Sequence, residues 1–85
     1  MTDTEKYIVE KFSELSELLK LADRRLCELR AKRQDTARVE NFIYIAHSLR
    51  ARIHRAYLNG FDMTDAELKA AEETMVSLRL TAKSL

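Results

Sequence analysis

The chain has no proline and no tryptophan, and only one glycine and one cysteine among its 85 residues. Each absence excludes something. Without proline, and with glycine only at Gly60, nearly all of the chain can be helical without a breaker. A single cysteine, Cys27, excludes an intramolecular disulfide and any cysteine-rich metal site. No apolar run approaches the roughly 18 residues that a membrane span requires. The opening MTDTEKYIVEKF is polar and acidic rather than a signal peptide, so a reducing cytoplasm is the expected setting. Eighty-five residues allow one small helical domain, 1–85. A chain of this size buries only about 60% of its unfolded surface, so a second copy or another partner is expected to complete the core.

What is present is charge and leucine-type patterning. Charged residues make up 34% and apolar ones 46%, a mixture that suits an all-α bundle. The net charge of +1 conceals a strong asymmetry. Residues 1–19 carry a net −3, residues 20–55 a net +6 and residues 56–85 a net −2, which makes a basic elbow between acidic ends.

Three apolar seams recur at alternating spacings of 3 and 4, the signature of heptad packing. The first is Ile8, Phe12, Leu15, Leu19, Ala22, Leu26 and Leu29, within a helix expected over about 4–33. Thr2 and Glu5 have the capping-box spacing at its start. The second is Val39, Phe42, Ala46, Leu49, Ile53 and Ala56, within a helix over about 37–59 that Asp35 or Thr36 can cap and Asn59-Gly60 ends. Its phase slips by one residue against the first, which favours a turn near 34–36. The alternative is one continuous helix from about 4 to 59, whose seam a dimer would have to cover. The third is Leu68, Ala71, Met75, Leu78, Ala82 and Leu85, within a helix over about 65–84, with Thr64 and Glu67 as capping box and Met63 stapling onto Leu68. The expected fold is an antiparallel three-helix bundle, or a long hairpin with a shorter third helix and coiled-coil-like packing. Part of the long hairpin should extend past the third helix.

Apolar residues off these seams point to an interface. They are Val9, Leu18 and Leu21, then Ile43, Tyr44, Ile45, Tyr57 and Leu58, and finally Val76 and Leu80. Contact of a central helix with two neighbours explains Ile43, Ile45 and Tyr57. It explains Tyr44, Leu58, Val76 and Leu80 less well. Tyr44, Ile45, Leu58, Val76 and Leu80 are therefore expected to anchor a protein partner, with Arg50, Arg52 and Arg55 at the rim. The same arginines are expected to form cross-helix ion pairs with Asp3, Glu5 and Glu10. Homodimerisation is a further expectation. The elbow cations Arg30, Lys32, Arg33 and Arg38 are the candidates for contact with nucleic acid, although no interleaved aromatics or helix-turn-helix spacing accompany them.

Catalysis and metal binding draw no comparable support. His47 and His54 are seven apart, about 10 Å along a helix, which is too far to chelate one ion. Cys27 has no positioned base in its local sequence. No phosphate-cradling glycine loop, catalytic triad or paired-carboxylate site is legible, so no cofactor is expected. The segment DRRLCELRAKR, Asp23 to Arg33, resembles the D-x-x-L-x-x-L-x-x-x-R segment of the all-helical chorismate mutases. That resemblance would make Arg33 the substrate-carboxylate arginine. The family's other two cations would fall at Ser16 and Tyr44, which are uncharged, so the enzyme reading is set aside. The sequence thus favours a non-enzymatic helical protein that works as a regulator, inhibitor or co-chaperone by packing a helix face on another protein.

Overall fold

The computed structural model describes residues 2–85. It has three helices: α1 over Asp3–Ala31, α2 over Ala37–Leu58 and α3 over Asp65–Ala82. No strand occurs among the described residues. α1 and α2 are separate helices that pack against each other as an antiparallel hairpin, which excludes the single continuous helix.

Each helix starts where the sequence provides a cap. The Thr2 hydroxyl accepts from the Glu5 backbone N–H at 3.1 Å. Thr64 and Glu67 form the full reciprocal box, both bonds at 3.1 Å. At α2 the helix boundary falls on Thr36, but the capping oxygen belongs to Asp35, which accepts from the Ala37 N–H at 3.0 Å.

The two long helices end in the same hydrogen-bonded turn. After α2, Phe61 N–H donates to Ala56 C=O at 2.9 Å and Gly60 N–H to Tyr57 C=O at 3.2 Å. After α1, Gln34 N–H donates to Leu29 C=O at 2.9 Å and Arg33 N–H to Arg30 C=O at 3.1 Å. Both are Schellman turns, which need a left-handed residue just past the cap. Gly60 meets that need with φ 78°, whereas at the elbow Arg33 does so with φ 55°. Phe61 is also left-handed, at φ 63°. Because these turns take up the last residues, α1 and α2 stop at Ala31 and Leu58 rather than at 33 and 59. α3 likewise ends at Ala82 rather than 84, with Lys83 as its cap.

The core is the three seams brought together. All six α2 seam residues are buried, as are Ile8, Leu15, Leu19, Ala22 and Leu29 from α1 and Ala71, Met75 and Leu78 from α3. Among the described residues, no polar or charged residue is buried with them. Phe12, Leu26, Met63, Ala82 and Leu85 pack against this core while remaining partly exposed. Each buried Leu, Ile, Phe or Met contributes about 1.5–3 kcal/mol relative to solvent exposure. The molecule is elongated, 45 × 19 × 16 Å, with a radius of gyration of 14.1 Å. A spherical domain of this length would have about 12 Å. α1 is 29 residues long against 18 for α3, so it outruns α3 by roughly 16 Å of helix.

α3 lies on one flank of the hairpin. It reaches α1 at Tyr7 and Glu14, and its last turn lies beside Leu21 and Glu28. Toward α2 it reaches Leu49 and Arg52, and Ser84 accepts from Arg38. At ~100° per residue, Val9 and Ser16 on α1 and Tyr44, Ala51 and Leu58 on α2 fall on the opposite flank. The hairpin is therefore covered on one side only.

The two left-handed positions make opposite predictions. Arg33→Gly should raise stability by about 0.5–1 kcal/mol, because glycine relieves the left-handed strain but is freer when unfolded. Gly60→Ala should lower it by about 1 kcal/mol through the backbone alone, since nothing lies within 4 Å of an added Cβ there. Urea unfolding followed by circular dichroism distinguishes the two signs.

Candidate functional site

On the covered flank, a polar network clips α3 to α1. Arg79 donates from Nε and Nη2 to the two carboxylate oxygens of Glu14, at 2.6 and 3.0 Å. Its Nη1 donates to Glu72 at 3.2 Å, and Glu72 also accepts from the Tyr7 hydroxyl at 2.9 Å. Lys11 lies 3.7 Å from Glu14 and its ammonium 5.4 Å from the centre of the Tyr7 ring. The hydrogen bonds from Arg79 hold Glu14 below the usual carboxylate range. Burial pushes Glu72 upward, but the bonds from Tyr7 and Arg79 outweigh it and leave the carboxyl lowered. Burial, reinforced by Glu72, drives the Tyr7 hydroxyl well above its ordinary value. Sequence reading missed this clip. Its signal was present as two matched pairs seven apart, Tyr7 with Glu14 and Glu72 with Arg79, in the same register on two parallel helices.

On the uncovered flank lies an apolar groove of about 270 Å³, lined by Ile8, Val9, Phe12, His54 and Tyr57. Val9 and Tyr57 are about half exposed at its edges. A run of rings crosses it. Phe12 is tilted against His54 at 6.1 Å, His54 stacks on Tyr57 at 6.1 Å, and Tyr57 meets Phe61 edge-on at 5.2 Å. The Arg50 guanidinium sits over Phe12, 4.2 Å from the ring centre. Its Nε is buried without a hydrogen-bond partner among the described residues. Phe12, expected as a seam residue, is therefore also part of the groove. His54 is one ring of this series, and His47 is exposed on the same flank.

The eight expected partner-binding residues do not form one surface. Tyr44 and Leu58 lie on the open flank and are the most exposed large apolar side chains, at 73% and 66%. Ile45 and Arg52 face the α3 side of α2, where Arg52 borders Met63, Ala66 and Glu67. Arg55 lies near Asn59, Asp62 and Glu67. Val76 and Leu80 are exposed on the outer side of α3. The expected ion pairs of Arg50, Arg52 and Arg55 with Asp3, Glu5 and Glu10 are absent among the described residues. Arg50 is taken up by Phe12 instead, and helical rotation turns Glu10 away from α2.

At the elbow, Arg30 lies 3.6 Å from Glu40, and Arg38 donates to Ser84. Lys32 and Arg33 are exposed in the turn. Arg33 lies in the elbow turn, whereas Ser16 lies midway along α1 with its hydroxyl bonded back to Phe12 C=O. No described helix is long and apolar enough to cross a membrane. Comparison with known proteins finds no matching family model, no matching curated relative and no matching solved structure.

The clip sets a pH profile. Lowered carboxyls contribute stability that is present above their unfolded value, near 4.5, and is lost as pH falls through the lower folded values. The raised Tyr7 hydroxyl contributes below its unfolded value of 10.0 and loses that contribution as pH rises beyond it. Arg79→Ala should cost about 1 kcal/mol near neutrality, given the partial exposure of the network. That is roughly 4–8 °C in Tm for a domain of this size. It should also flatten the acid arm of the Tm–pH curve, which thermal melts from pH 3 to 8 read directly.

Proposed function

We propose that this chain is a small, non-enzymatic helical protein that binds another protein through the open flank of the α1–α2 hairpin. The observation that supports this best is the one-sided covering of the hairpin. α3 protects one flank with a charged clip, while the other keeps an apolar, aromatic-lined groove beside exposed Tyr44 and Leu58. One more helix laid along that flank would produce a four-helix arrangement with both sides covered. Val9, Tyr57, Leu58 and Tyr44 would act as anchors, and Arg50 and Arg55 would tune charge at the edge. A role as regulator, inhibitor or co-chaperone of a larger assembly follows by analogy of size and type. Val76 and Leu80 would belong to a separate contact on the outer side of α3.

The alternative is nucleic-acid binding at the elbow. It draws on the exposed cations Lys32 and Arg33, but Arg30 and Arg38 already have intramolecular partners. The two readings differ in salt dependence. Phosphate contacts would weaken binding steeply between about 50 and 200 mM salt, and apolar docking would not.

A photo-crosslinking residue at Leu58 is expected to capture a protein in the native host, whereas one at exposed Glu17 is not. Val9→Glu should weaken the captured interaction by about 30-fold or more, the effect of losing an anchor worth roughly 2 kcal/mol, with the helical circular dichroism unchanged. Capture of nucleic acid from position 33, with nothing from 58, would replace this reading with the alternative.

A further inference from the structure

We propose that α3 is a releasable strap, which lifts off the hairpin as one unit while α1 and α2 stay paired, and that the clip of Tyr7, Glu14, Glu72 and Arg79 is its latch. The inference goes beyond the protein-binding reading. It concerns the flank that α3 covers and stands or falls independently of the open one.

Burial is unequal among the three helices. α1 contributes Ile8, Leu15, Leu19, Ala22 and Leu29 to the hairpin, and α2 contributes all its seam residues from Val39 to Ala56. Over its 18 residues α3 buries Ala71, Met75 and Leu78, of which only the last two are large. Leu68, Ala82 and Leu85 remain partly exposed. An element with so little buried apolar surface opens at a lower free energy than the core it rests on. α3 is also self-contained at its start. Thr64 and Glu67 close its capping box without any group from the hairpin. The preceding loop, residues 59–64, supplies a pivot, since a few loop residues can absorb a large backbone rotation. Gly60 takes its left-handed angle without strain, whereas Phe61 holds φ 63° against the preference of a bulky side chain. That strain relaxes once the loop no longer has to aim α3 at the flank.

The latch is ionic. Among the described residues, the side-chain hydrogen bonds between α3 with its tail and the hairpin are Arg79 to Glu14, Tyr7 to Glu72 and Arg38 to Ser84. The first two belong to one network. Tyr7, Lys11 and Glu14 face it from α1, and Glu72 and Arg79 face it from α3. Among the described residues α2 gives it no ion pair. Arg79 is the cation held between two carboxylates. Without it Glu14 and Glu72 confront each other across the junction, with only Lys11 beside Glu14, and attraction turns to repulsion. Salt weakens the same contacts, because the network is partly exposed. Release uncovers the side of α2 that carries Leu49 and Arg52. The hairpin then offers apolar surface on both flanks.

Thiol labelling of the full chain tests the proposal. Ala71 on α3 and Ala46 on α2 are both buried, so Ala71→Cys and Ala46→Cys are matched substitutions. In a Cys27→Ser background, Ala71→Cys should react with a disulfide reagent at least about 10-fold faster than Ala46→Cys. Its rate should depend weakly on low urea, whereas that of Ala46→Cys should rise steeply, because opening α3 exposes less surface than unfolding the hairpin. Arg79→Ala should quicken labelling at position 71 about 5-fold, as loss of a partly exposed ion pair implies. Lys20→Ala, which removes an exposed pair within α1, should leave it unchanged. Hydrogen exchange of the unmodified chain reads the same order, with amides of 65–82 exchanging ahead of those of 39–56, and serves if either cysteine variant fails to fold. Equal rates with equal urea dependence at the two positions mean all-or-none unfolding and overturn the strap. Labelling at 71 that ignores Arg79→Ala overturns the latch. Neither result bears on the capture of a protein at Leu58.

Discussion

The apolar stripe of α2, from Val39 to Ala56, has to serve two neighbours at once. α1 packs along its length and α3 against part of it, so every buried contact in the molecule depends on this one helix keeping its phase. That demand explains the purity of the stripe. All six of its seam positions are buried, and among the described residues no polar or charged residue is buried with them. The polar interactions lie at the margins, where α3 meets α1 through Tyr7, Glu14, Glu72 and Arg79. Apolar burial supplies the attraction, and the clip fixes the register of α3 against α1. Exposed ion pairs alone would be too weak to hold a helix in place.

The seams and caps were legible because they are local. Heptad spacing, the Thr64–Glu67 box and Asn59-Gly60 each act within about seven residues, and sequence displays such relations directly. The elbow was harder to read. Its left-handed residue is Arg33, and an arginine gives no sign of that role beforehand. Only the one-residue phase slip between two seams marked the turn.

The candidate surface was legible as a list of residues but not as a surface. Tyr44, Leu58, Val76 and Leu80 were correctly expected to lie off the core, and all four are exposed. Which of them share a flank depends on the side of the hairpin that α3 covers, a tertiary choice that no periodicity encodes. Arg50 shows the same limit. Charge counting assigns it an acidic partner, whereas the fold sets it over Phe12. The groove between Val9 and Tyr57 comes from two helices meeting at a particular rotation, so neither helix alone reveals it.

The side on which α3 lies is a question of handedness. A third helix can fold back onto either flank of a hairpin, and the two results are mirror-image topologies with nearly the same seams. Gly60 and Phe61, consecutive residues with positive φ, steer the chain at the point where that choice is made. Phe61 adopts a conformation that bulky side chains avoid, and its ring packs on the core and against Tyr57. In the mirror topology α3 would cover Val9 and Tyr57, strand Glu14 without Arg79, and leave Tyr7 and Arg52 outermost. Two backbone angles in a six-residue loop thus select an enantiomeric sense for the bundle, and with it the face that is presented to the outside.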